Sequence, residues 1–301
     1  MEEVIGKAVS QFDTDGITRI SWAEQAGLNT SSWFICGRYV LKAFTDTDIL
    51  NKVLCTNAHM RQAGVPVAKY CRTKTGERYA CVDGVFYTLA EKSAGLPAEP
   101  YSEGCLERAY SVGVYMAALH AALKPLDAVL RLNDFDSMDD LRRVILPDIS
   151  HMGLTIGTDI IDYCLGFAGS YNRLPRQVIH RDLHPGNLLF ENNKLTAFID
   201  FDICQINARL FDLCYYGSTF LFEADPEQRE KWFDIFTRFL FGYNTVSDII
   251  GDEYESMPQM LVHVPLLFIH FWLNKGQTDE VEKGVEWLNW SFENRNRFCF
   301  N

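Results

Sequence analysis

The hydrophobic and polar positions in the first third of the chain alternate in short runs. Clear examples are RYVLKAF at 38–44 and RYACVDGVFYTLAEK at 78–92. Alternation with a period of two predicts strands, because successive side chains of a strand point to opposite faces. The Asp83-Gly84 pair in the second run is a strong signal for the turn of a hairpin. This part of the sequence therefore predicts an antiparallel sheet.

A single helix is predicted within this strand-rich part, over residues 46–63. Asp46 and Asp48 lie in its first turn, where carboxylates cap backbone N–H groups and favour the helix dipole. Gly64 is expected to end the helix, and 64–71 is expected to open a further strand.

The rest of the chain has mainly the period of helices. In 102–123, apolar residues recur at helical spacing, and His120 in the same register is expected to be a structural histidine of the core. Two more helices are predicted near 136–150 and 157–170, and residues 208–301 are predicted to be helical throughout.

Residues 180–202, HRDLHPGNLLFENNKLTAFIDFD, interrupt this helical pattern. The apolar runs before and within this segment predict short strands, and ENNK predicts a hairpin turn between two of them. Asp182 can accept a proton from an attacking hydroxyl, while Asn187 and Asp200 offer oxygens that suit Mg²⁺ held against nucleotide phosphates. The hairpin is expected to bring Asn187 and Asp200 to one metal ion. The alternative is a hairpin whose Asp and Asn residues only cap turns.

This segment resembles the catalytic loop of the aminoglycoside phosphotransferase and choline kinase family, which has the protein-kinase-like fold. The family pattern is H-x-D-x-x-x-x-N followed by an apolar strand that ends in Asp. His180, Asp182, Asn187 and Asp200 fill this pattern, and His184 before a proline is typical of the small-molecule members. In this resemblance Asp182 is the catalytic base, and His180 and His184 support the loop.

The resemblance implies an α+β, bilobal protein-kinase-like fold. Residues 1–91 would form a strand-rich, nucleotide-binding N-lobe, and 92–301 a helical C-lobe with the catalytic loop at 180–187. In the same family a strand lysine meets the α- and β-phosphates of the nucleotide, which places Lys42 in that role. A lysine in an apolar strand needs such an anion to offset its desolvation, unless it lies at an edge with its head in water.

Two further contacts to the nucleotide are expected from position. The segment AGLNTSS at 26–32 would lie over the phosphates, although an ordinary hairpin turn is equally compatible with it. It contains one glycine, Gly27, and the hydroxyl residues Thr30, Ser31 and Ser32. The hinge after the second hairpin strand would bind the adenine edge through the backbone of Glu91 and Ser93.

One departure from protein kinases is visible in the predicted helix at 46–63. Those enzymes pair the strand lysine with a helix Glu, yet no Glu occurs from Ala43 to Gly76. Asn51, Asn57 or His59 could orient Lys42 instead. The missing Glu is the feature that favours a rival interpretation, a nucleotide-binding module without catalytic activity.

A protein kinase is disfavoured by the short distance between Asp200 and Asp212. The intervening residues are expected to turn helical near Ala208, which leaves no room for an activation segment. Asp212 would hydrogen-bond the catalytic loop, and Asp202 would share a strand face with Asp200 and act as a supporting group or further metal ligand. Arg181 is expected to form a structural salt bridge with a neighbouring acid.

Composition narrows the class of protein. The chain has 301 residues, 48% of them hydrophobic, and a net charge of −12, which argues against nucleic acid or an anionic membrane as its main partner. Its nine cysteines lack CxxC spacing and are expected to be reduced and mostly buried in a cytoplasmic protein. The acidic N-terminus lacks the apolar core of a signal peptide. The apolar run at 260–273 has 14 residues, too few to span a bilayer, and is expected to be a buried helix.

These features predict a Mg²⁺-dependent kinase that moves the γ-phosphate of ATP or GTP to a hydroxyl of a small molecule. An amino alcohol, an aminoglycoside, a sugar and a hydroxy-amino acid are all compatible acceptors. A cationic acceptor is favoured by acids and aromatics beyond Asp212, through ion pairing and cation–π contact. These residues are Asp225, Glu227, Glu230, Asp252, Glu253 and Glu255, with Trp232, Phe236, Trp272, Trp287 and Trp290.

Overall fold

A computed structural model describes residues 2–14, 23–25, 31–130, 132 and 134–300. The chain forms two compact units. The first consists of Met1–Leu96, Leu189–Glu191 and Leu195–Asp202, and the second of Pro97–Leu188, Asn192–Lys194 and Ile203–Asn301. The division falls a few residues after the predicted boundary at 91. It also assigns most of the hairpin after the catalytic loop to the first unit, whereas the sequence placed that hairpin with the second.

A five-stranded antiparallel sheet organises the first unit. Its strands are β1 (Ala23–Gln25), β2 (Ser32–Ile35), β3 (Tyr39–Phe44), β4 (Ala80–Val82) and β5 (Val85–Glu91). Their spatial order is β1-β2-β3-β5-β4. In this register Lys42 lies between Ser32 on one side and Thr88 on the other. Lys42 is therefore on the central strand of the sheet.

Two helices accompany this sheet, α1 (Glu2–Val9), which was not predicted, and α2 (Thr47–Gln62). The Asp46 side chain accepts hydrogen bonds from the backbone N–H groups of Asp48 and Ile49, so it caps α2 as expected. Apolar residues of α1 pack in one cluster with Leu41 and Leu89 of the sheet. Because side chains alternate along a strand, Lys42 lies on the face opposite to Leu41.

The strand predictions in this unit are mostly confirmed. Asp83 and Gly84 both have positive φ, 51° and 80°, the backbone that a two-residue hairpin turn requires. The strand predicted at 64–71 is wrong, because Val67 and Tyr70 form only isolated bridges, with Phe198 and Ala90.

The hairpin that follows the catalytic loop consists of β7 (Leu188–Glu191) and β8 (Lys194–Phe198), after β6 (Arg176–Ile179) earlier in the chain. Asn192 and Asn193 make its turn at φ of 50° and 61°. Asparagine tolerates this left-handed backbone better than most residues.

The second unit is mainly helical, as predicted. Its helices are α3 (Cys105–Leu123), α4 (Ser137–Asp140), α5 (Leu146–His151), α6 (Thr158–Gly166), α7 (Ala168–Tyr171), α8 (Leu210–Thr219), α9 (Pro226–Asn244), α10 (Gly251–Lys275) and α11 (Thr278–Glu293). A π-helical turn, Leu141–Ile145, joins α4 to α5. The region from 208 onward is not purely helical at its start, because β9 (Gln205–Ala208) pairs with β6.

One described helix, α10, is long and apolar enough to cross a membrane by length and composition, but 61% of its most apolar window is buried inside the protein. The burial expected for 260–273 is therefore observed, whereas the helix is longer than the apolar run suggested. All nine cysteines are thiols outside any disulfide, and four of them are buried, so the expectation that most would be buried is wrong.

Candidate active site

The loop between β6 and β7 carries Asp182. Its carboxylate is held from two sides, because Oδ1 accepts a hydrogen bond from Tyr215 Oη at 2.9 Å and Oδ2 accepts one from Asn187 Nδ2 at 3.1 Å. His184 Nε2 lies 3.8 Å from Oδ2. Two neutral donors thus fix the direction of a carboxylate that remains partly exposed. A carboxylate in this state can accept a proton.

Sequence reasoning missed Tyr215. Its ring is stacked against Phe211 and Phe268, with centroids 5.6 and 5.3 Å away. Burial, reinforced by the charge of Asp182, raises the pKa of the Tyr215 phenol well above its ordinary value. The phenol therefore keeps its proton and donates to Asp182. The only sequence signal was its position three residues after Asp212, on the same face of α8.

Asp212 supports the backbone of the catalytic loop. Its carboxylate is fully buried and accepts hydrogen bonds from the N–H groups of His180 and Arg181, both at 2.8 Å. His120 Nε2 lies 3.2 Å from Asp212 Oδ2, and the other ring nitrogen lies 2.8 Å from Tyr243 Oη. His120 is buried as expected, and it is also part of this support.

His180 and His184 accept hydrogen bonds from backbone N–H groups of their own loop. The backbone N–H of Asp182 donates to His180 Nδ1 at 3.3 Å, and that of Gly186 donates to His184 Nδ1 at 3.1 Å. The side chain of Asn187 also donates to the Asp182 carbonyl, at 2.8 Å. Asp182 is therefore held by its own loop as well as by α8.

The first unit contains a second group of polar residues, centred on Lys42. Its ammonium contacts Asp200 Oδ1 at 2.9 Å and Asp202 Oδ2 at 2.8 Å. Burial by itself would lower the pKa of Lys42, but the two carboxylates outweigh that effect and raise it. Burial raises the pKa of the Asp202 carboxyl, although Lys42 acts in the opposite direction.

The carboxylates that pair with Lys42 come from a turn, which the sequence did not predict. Asp200 has a φ of 66° and lies beyond the end of β8, so the prediction that Asp200 and Asp202 share a strand face is wrong. Among the described residues Lys42 has no partner on α2, and Asn57 instead donates to the Ala68 carbonyl. Asp200 and Asp202 pair with Lys42, whereas protein kinases pair the equivalent lysine with a helix Glu.

Two oxygen atoms of these groups have the character of metal ligands. Asp202 Oδ1 is buried without a hydrogen-bond partner. The amide nitrogen of Asn187 is used on Asp182, and no hydrogen bond reaches its amide oxygen from the described residues. Together with the Asp200 carboxylate, these are hard oxygen donors of the kind that Mg²⁺ prefers. The described chain contains no cluster of three or more His, Cys, Asp and Glu residues suited to a metal.

The predicted phosphate loop is described only at its end. Gly27 and Thr30 lie outside the described residues. Ser31 accepts a backbone hydrogen bond from Ala43 at 2.8 Å, and Ser32 begins β2 directly beside Lys42. Both serines therefore lie in strand pairing next to the lysine.

Part of the predicted hinge already forms hydrogen bonds within the protein. The backbone N–H of Glu91 donates to the Lys69 carbonyl and that of Lys92 to the Arg38 carbonyl, both at 2.8 Å. The Glu91 side chain pairs with Lys69. Ser93 lines an open cleft of about 630 Å³, and no hydrogen bond to it is found in the described chain. The Ser93 backbone therefore remains available, whereas the Glu91 N–H does not.

Several of the acids and aromatics beyond Asp212 are committed to the fold. Glu253 is fully buried and paired with Arg209, and Glu230 is paired with Arg297. Asp225 caps α9. Trp232, Phe236 and Trp287 lie in the core. These six residues therefore do not support the cationic acceptor that the sequence favoured.

Arg181 also differs from expectation. Its Nη1 donates to Gln205 Oε1 at 3.1 Å, and its guanidinium lies over the Phe135 ring at 4.4 Å. No carboxylate among the described residues forms an ion pair with it. The predicted salt bridge is absent.

A protein-family model, described as the phosphotransferase enzyme family, matches residues 37–247. Several curated relatives are homoserine kinases. The one from Methylobacillus flagellatus is 24% identical over 83% of this chain and 77% of its own length. The one from a Janthinobacterium species is 25% identical over 93% of this chain and 87% of its own length.

Solved structures share the fold. An amicoumacin kinase bound to AMP-PNP and Ca²⁺ matches with a TM-score of 0.72 at 13% identity, covering 100% of this chain and 94% of its own. A microcompartment-associated aminopropanol kinase matches with a TM-score of 0.70 at 16% identity, covering 99% and 97%. The predicted α+β protein-kinase-like fold is confirmed. Since the family model spans more than half of the sequence, the chain belongs to the phosphotransferase enzyme family and is a small-molecule kinase.

Proposed function

We propose that the protein uses ATP to phosphorylate the side-chain hydroxyl of a small hydroxy-amino acid such as homoserine. The observation that carries the reaction type is the carboxylate of Asp182, oriented by Tyr215 and Asn187. The acceptor class is supported by the homoserine kinases that match most of this chain. These relatives support one of the acceptors that the sequence left open, the hydroxy-amino acid.

Asp182 is the proposed base. The acceptor oxygen attacks the γ-phosphorus, the bond from that phosphorus to the β,γ-bridging oxygen breaks, and the hydroxyl proton passes to Asp182. ADP leaves with the electron pair of the broken bond. Phosphoryl transfer depends mostly on positioning and charge stabilisation. Tyr215 and Asn187 contribute by fixing the two carboxylate oxygens before the acceptor arrives.

Lys42 is the proposed ligand of the nucleotide phosphates. Its raised pKa keeps it charged, and Asp200 and Asp202 hold its ammonium in place. Ser31 and Ser32 would assist from the neighbouring strand, and the Ser93 backbone would contact the base of the nucleotide. The same contacts could serve GTP, since none of them reads the purine by a side chain.

Mg²⁺ would be held by Asn187, Asp200 and Asp202. Their oxygen donors fit such an ion, as the unpartnered Asp202 Oδ1 indicates. A bound magnesium ion would neutralise charge that develops on the phosphates. The nine free cysteines support a location in the reducing cytoplasm.

The test is to measure ADP release and identify the phosphate ester by phosphorus NMR. L-homoserine, 3-amino-1-propanol, an aminoglycoside and a sugar are offered with Mg²⁺ and either ATP or GTP. We expect the highest kcat/KM with L-homoserine. A phosphate ester that forms only on another acceptor would refute the amino-acid assignment. Nucleotide hydrolysis with no ester on any acceptor would refute the proposed transfer itself.

A further inference from the structure

Arg181 places a positive charge beside the proposed base without an acidic partner. Its side chain is half-buried, contacts Gln205 and Phe135, and forms no ion pair with any described residue. Burial lowers the pKa of this guanidinium. Leaving a cation desolvated and unpaired is unfavourable unless an anion meets it.

The backbone of Arg181 is also held in an unusual conformation. Its φ is 73°, in the left-handed region that non-glycine residues seldom adopt. The buried carboxylate of Asp212 accepts its N–H and keeps it there. A conformation of this kind persists only where the surroundings enforce it. The backbone conformation of Arg181 is therefore held by the same residue that supports the catalytic loop.

Asp140 is the last residue of α4, and it follows by five positions the Phe135 ring on which the Arg181 guanidinium packs. It is half-buried, and its carboxylate makes no hydrogen bond or ion pair with the described residues. Burial raises the pKa of the Asp140 carboxyl, and Arg181 and His270 act in the opposite direction.

The other charged groups around Asp140 already have partners. Asp139 pairs with Arg143 at 2.7 Å, and Asp148 pairs with His270 at 2.9 Å. Arg181 and Asp140 influence each other electrostatically but are not in ion-pair contact. They are thus two opposite charges, both partly desolvated, that do not neutralise each other directly.

We propose that Arg181 and Asp140 bind the two charges of an α-amino acid, its carboxylate on Arg181 and its ammonium on Asp140. Guanidinium groups suit carboxylates because their donors form a planar fork. Arg181 immediately precedes Asp182 in the sequence, so the proposed carboxylate contact and the proposed base belong to the same loop. This inference rests on the proposed function and assigns the residues that would choose the acceptor.

The experiment compares three acceptors that differ in one charge. L-homoserine carries both charges, 3-amino-1-propanol lacks the carboxylate, and 4-hydroxybutyrate lacks the ammonium. Arg181→Gln should lower kcat/KM roughly 10–100-fold for homoserine and 4-hydroxybutyrate and leave aminopropanol unchanged, as expected for one charge-assisted contact. Asp140→Asn should lower it similarly for homoserine and aminopropanol and leave 4-hydroxybutyrate unchanged.

Neighbouring residues supply matched controls. Arg142→Gln and Asp139→Asn remove one charge each from positions near Asp140 in the sequence, where Arg142 is exposed and Asp139 is already paired with Arg143. Both should retain the wild-type order of acceptors.

The outcomes separate this inference from the proposed function. If wild-type protein phosphorylates all three acceptors equally well, or if Arg181→Gln lowers all three alike, the charge-reading role is wrong while the kinase activity stands. If no ester forms on any of the three, the amino-acid acceptor and its charge-reading site both fail. An acceptor-specific loss in each variant would establish the two contacts.

Discussion

Carboxylates are used in opposite ways in the two units. In the first unit, Asp200 and Asp202 are paired with the Lys42 ammonium. In the second, Asp182 is held by a phenol and an amide, which carry no charge. A cation in contact with a carboxylate base reduces the tendency of that base to take a proton. Neutral donors fix the direction of the carboxylate and reduce its basicity less. Pairing with a cation suits residues whose task is to meet phosphate and metal.

The residues around Asp182 are also more deeply buried than those around Lys42. Asp182 depends on a loop that is anchored by the fully buried Asp212, with His120 and Tyr243 behind it. The side chains of Lys42, Asp200 and Asp202 are 21%, 46% and 31% exposed. Lys42, Asp200 and Asp202 can therefore exchange their ion pairs for contacts with a ligand. Asp182 is already oriented before any ligand binds.

The largest expected effect is that of Asp182→Asn. The amide keeps the shape of the carboxylate but cannot take the proton, so kcat should fall about 10²–10⁴-fold. ATP affinity, measured by calorimetry, should change little, because Asp182 is not among the residues proposed to hold the nucleotide or the metal. A variant with near-normal turnover on its acceptor would reject the division of roles.

Asp200→Ala should show the reverse pattern. Loss of a carboxylate from the proposed metal site should weaken Mg²⁺-dependent ATP binding by roughly 10–100-fold. Binding measured with Mg²⁺ and with EDTA isolates the metal-dependent part. Asp182→Asn serves as the control variant. Equal Mg²⁺-ATP affinity in Asp200→Ala and wild type would contradict the assignment of Asp200.

Tyr215→Phe tests the neutral donor. The ring keeps its stacking on Phe211 and Phe268, and only the hydrogen bond to Asp182 is lost. A hydrogen bond to a charged group contributes about 1.5 kcal/mol, so kcat should fall roughly 10-fold with KM nearly unchanged. Tyr110→Phe removes a hydroxyl elsewhere and should have wild-type kinetics. An unchanged kcat in Tyr215→Phe would show that Asn187 alone positions the base.

The smallest expected effect concerns His263, which neither group uses. It is fully buried in α10, neither ring nitrogen has a hydrogen-bond partner among the described residues, and burial lowers the pKa of His263 to about 4. Between pH 6.5 and 4 the unfolded chain binds a proton that the folded chain does not. The free energy of unfolding should therefore decrease as the pH is lowered through this range, by up to about 1.4 kcal/mol per pH unit.

His263→Leu should remove this acid-linked loss of stability. Denaturant unfolding at pH 7.5 and pH 5 would measure it, and activity at the same pH values would be compared. Activity that declines equally in both proteins would assign the loss to the catalytic groups. A stability difference that is independent of pH would show that His263 does not titrate as expected.

Much of the architecture was predictable because its signals are local. The Asp83-Gly84 turn, the cap at Asp46 and the period of α3 depend on neighbouring residues along the chain. The segment 180–202 was informative for the same reason, since the proposed proton acceptor and the proposed metal ligands lie within one short stretch of sequence. Family membership follows largely from that segment.

Contacts between distant residues were decided only by the tertiary structure. Tyr215 meets Asp182 from 33 positions away, and Lys42 meets Asp200 from 158. The acids and tryptophans beyond Asp212 have the composition of a binding surface, yet burial and pairing commit several of them to the fold. The sequence by itself determined which chemical groups are present and which local elements carry them. Packing decided which groups meet, because burial, pairing and desolvation depend on neighbours that the chain brings together only when it folds.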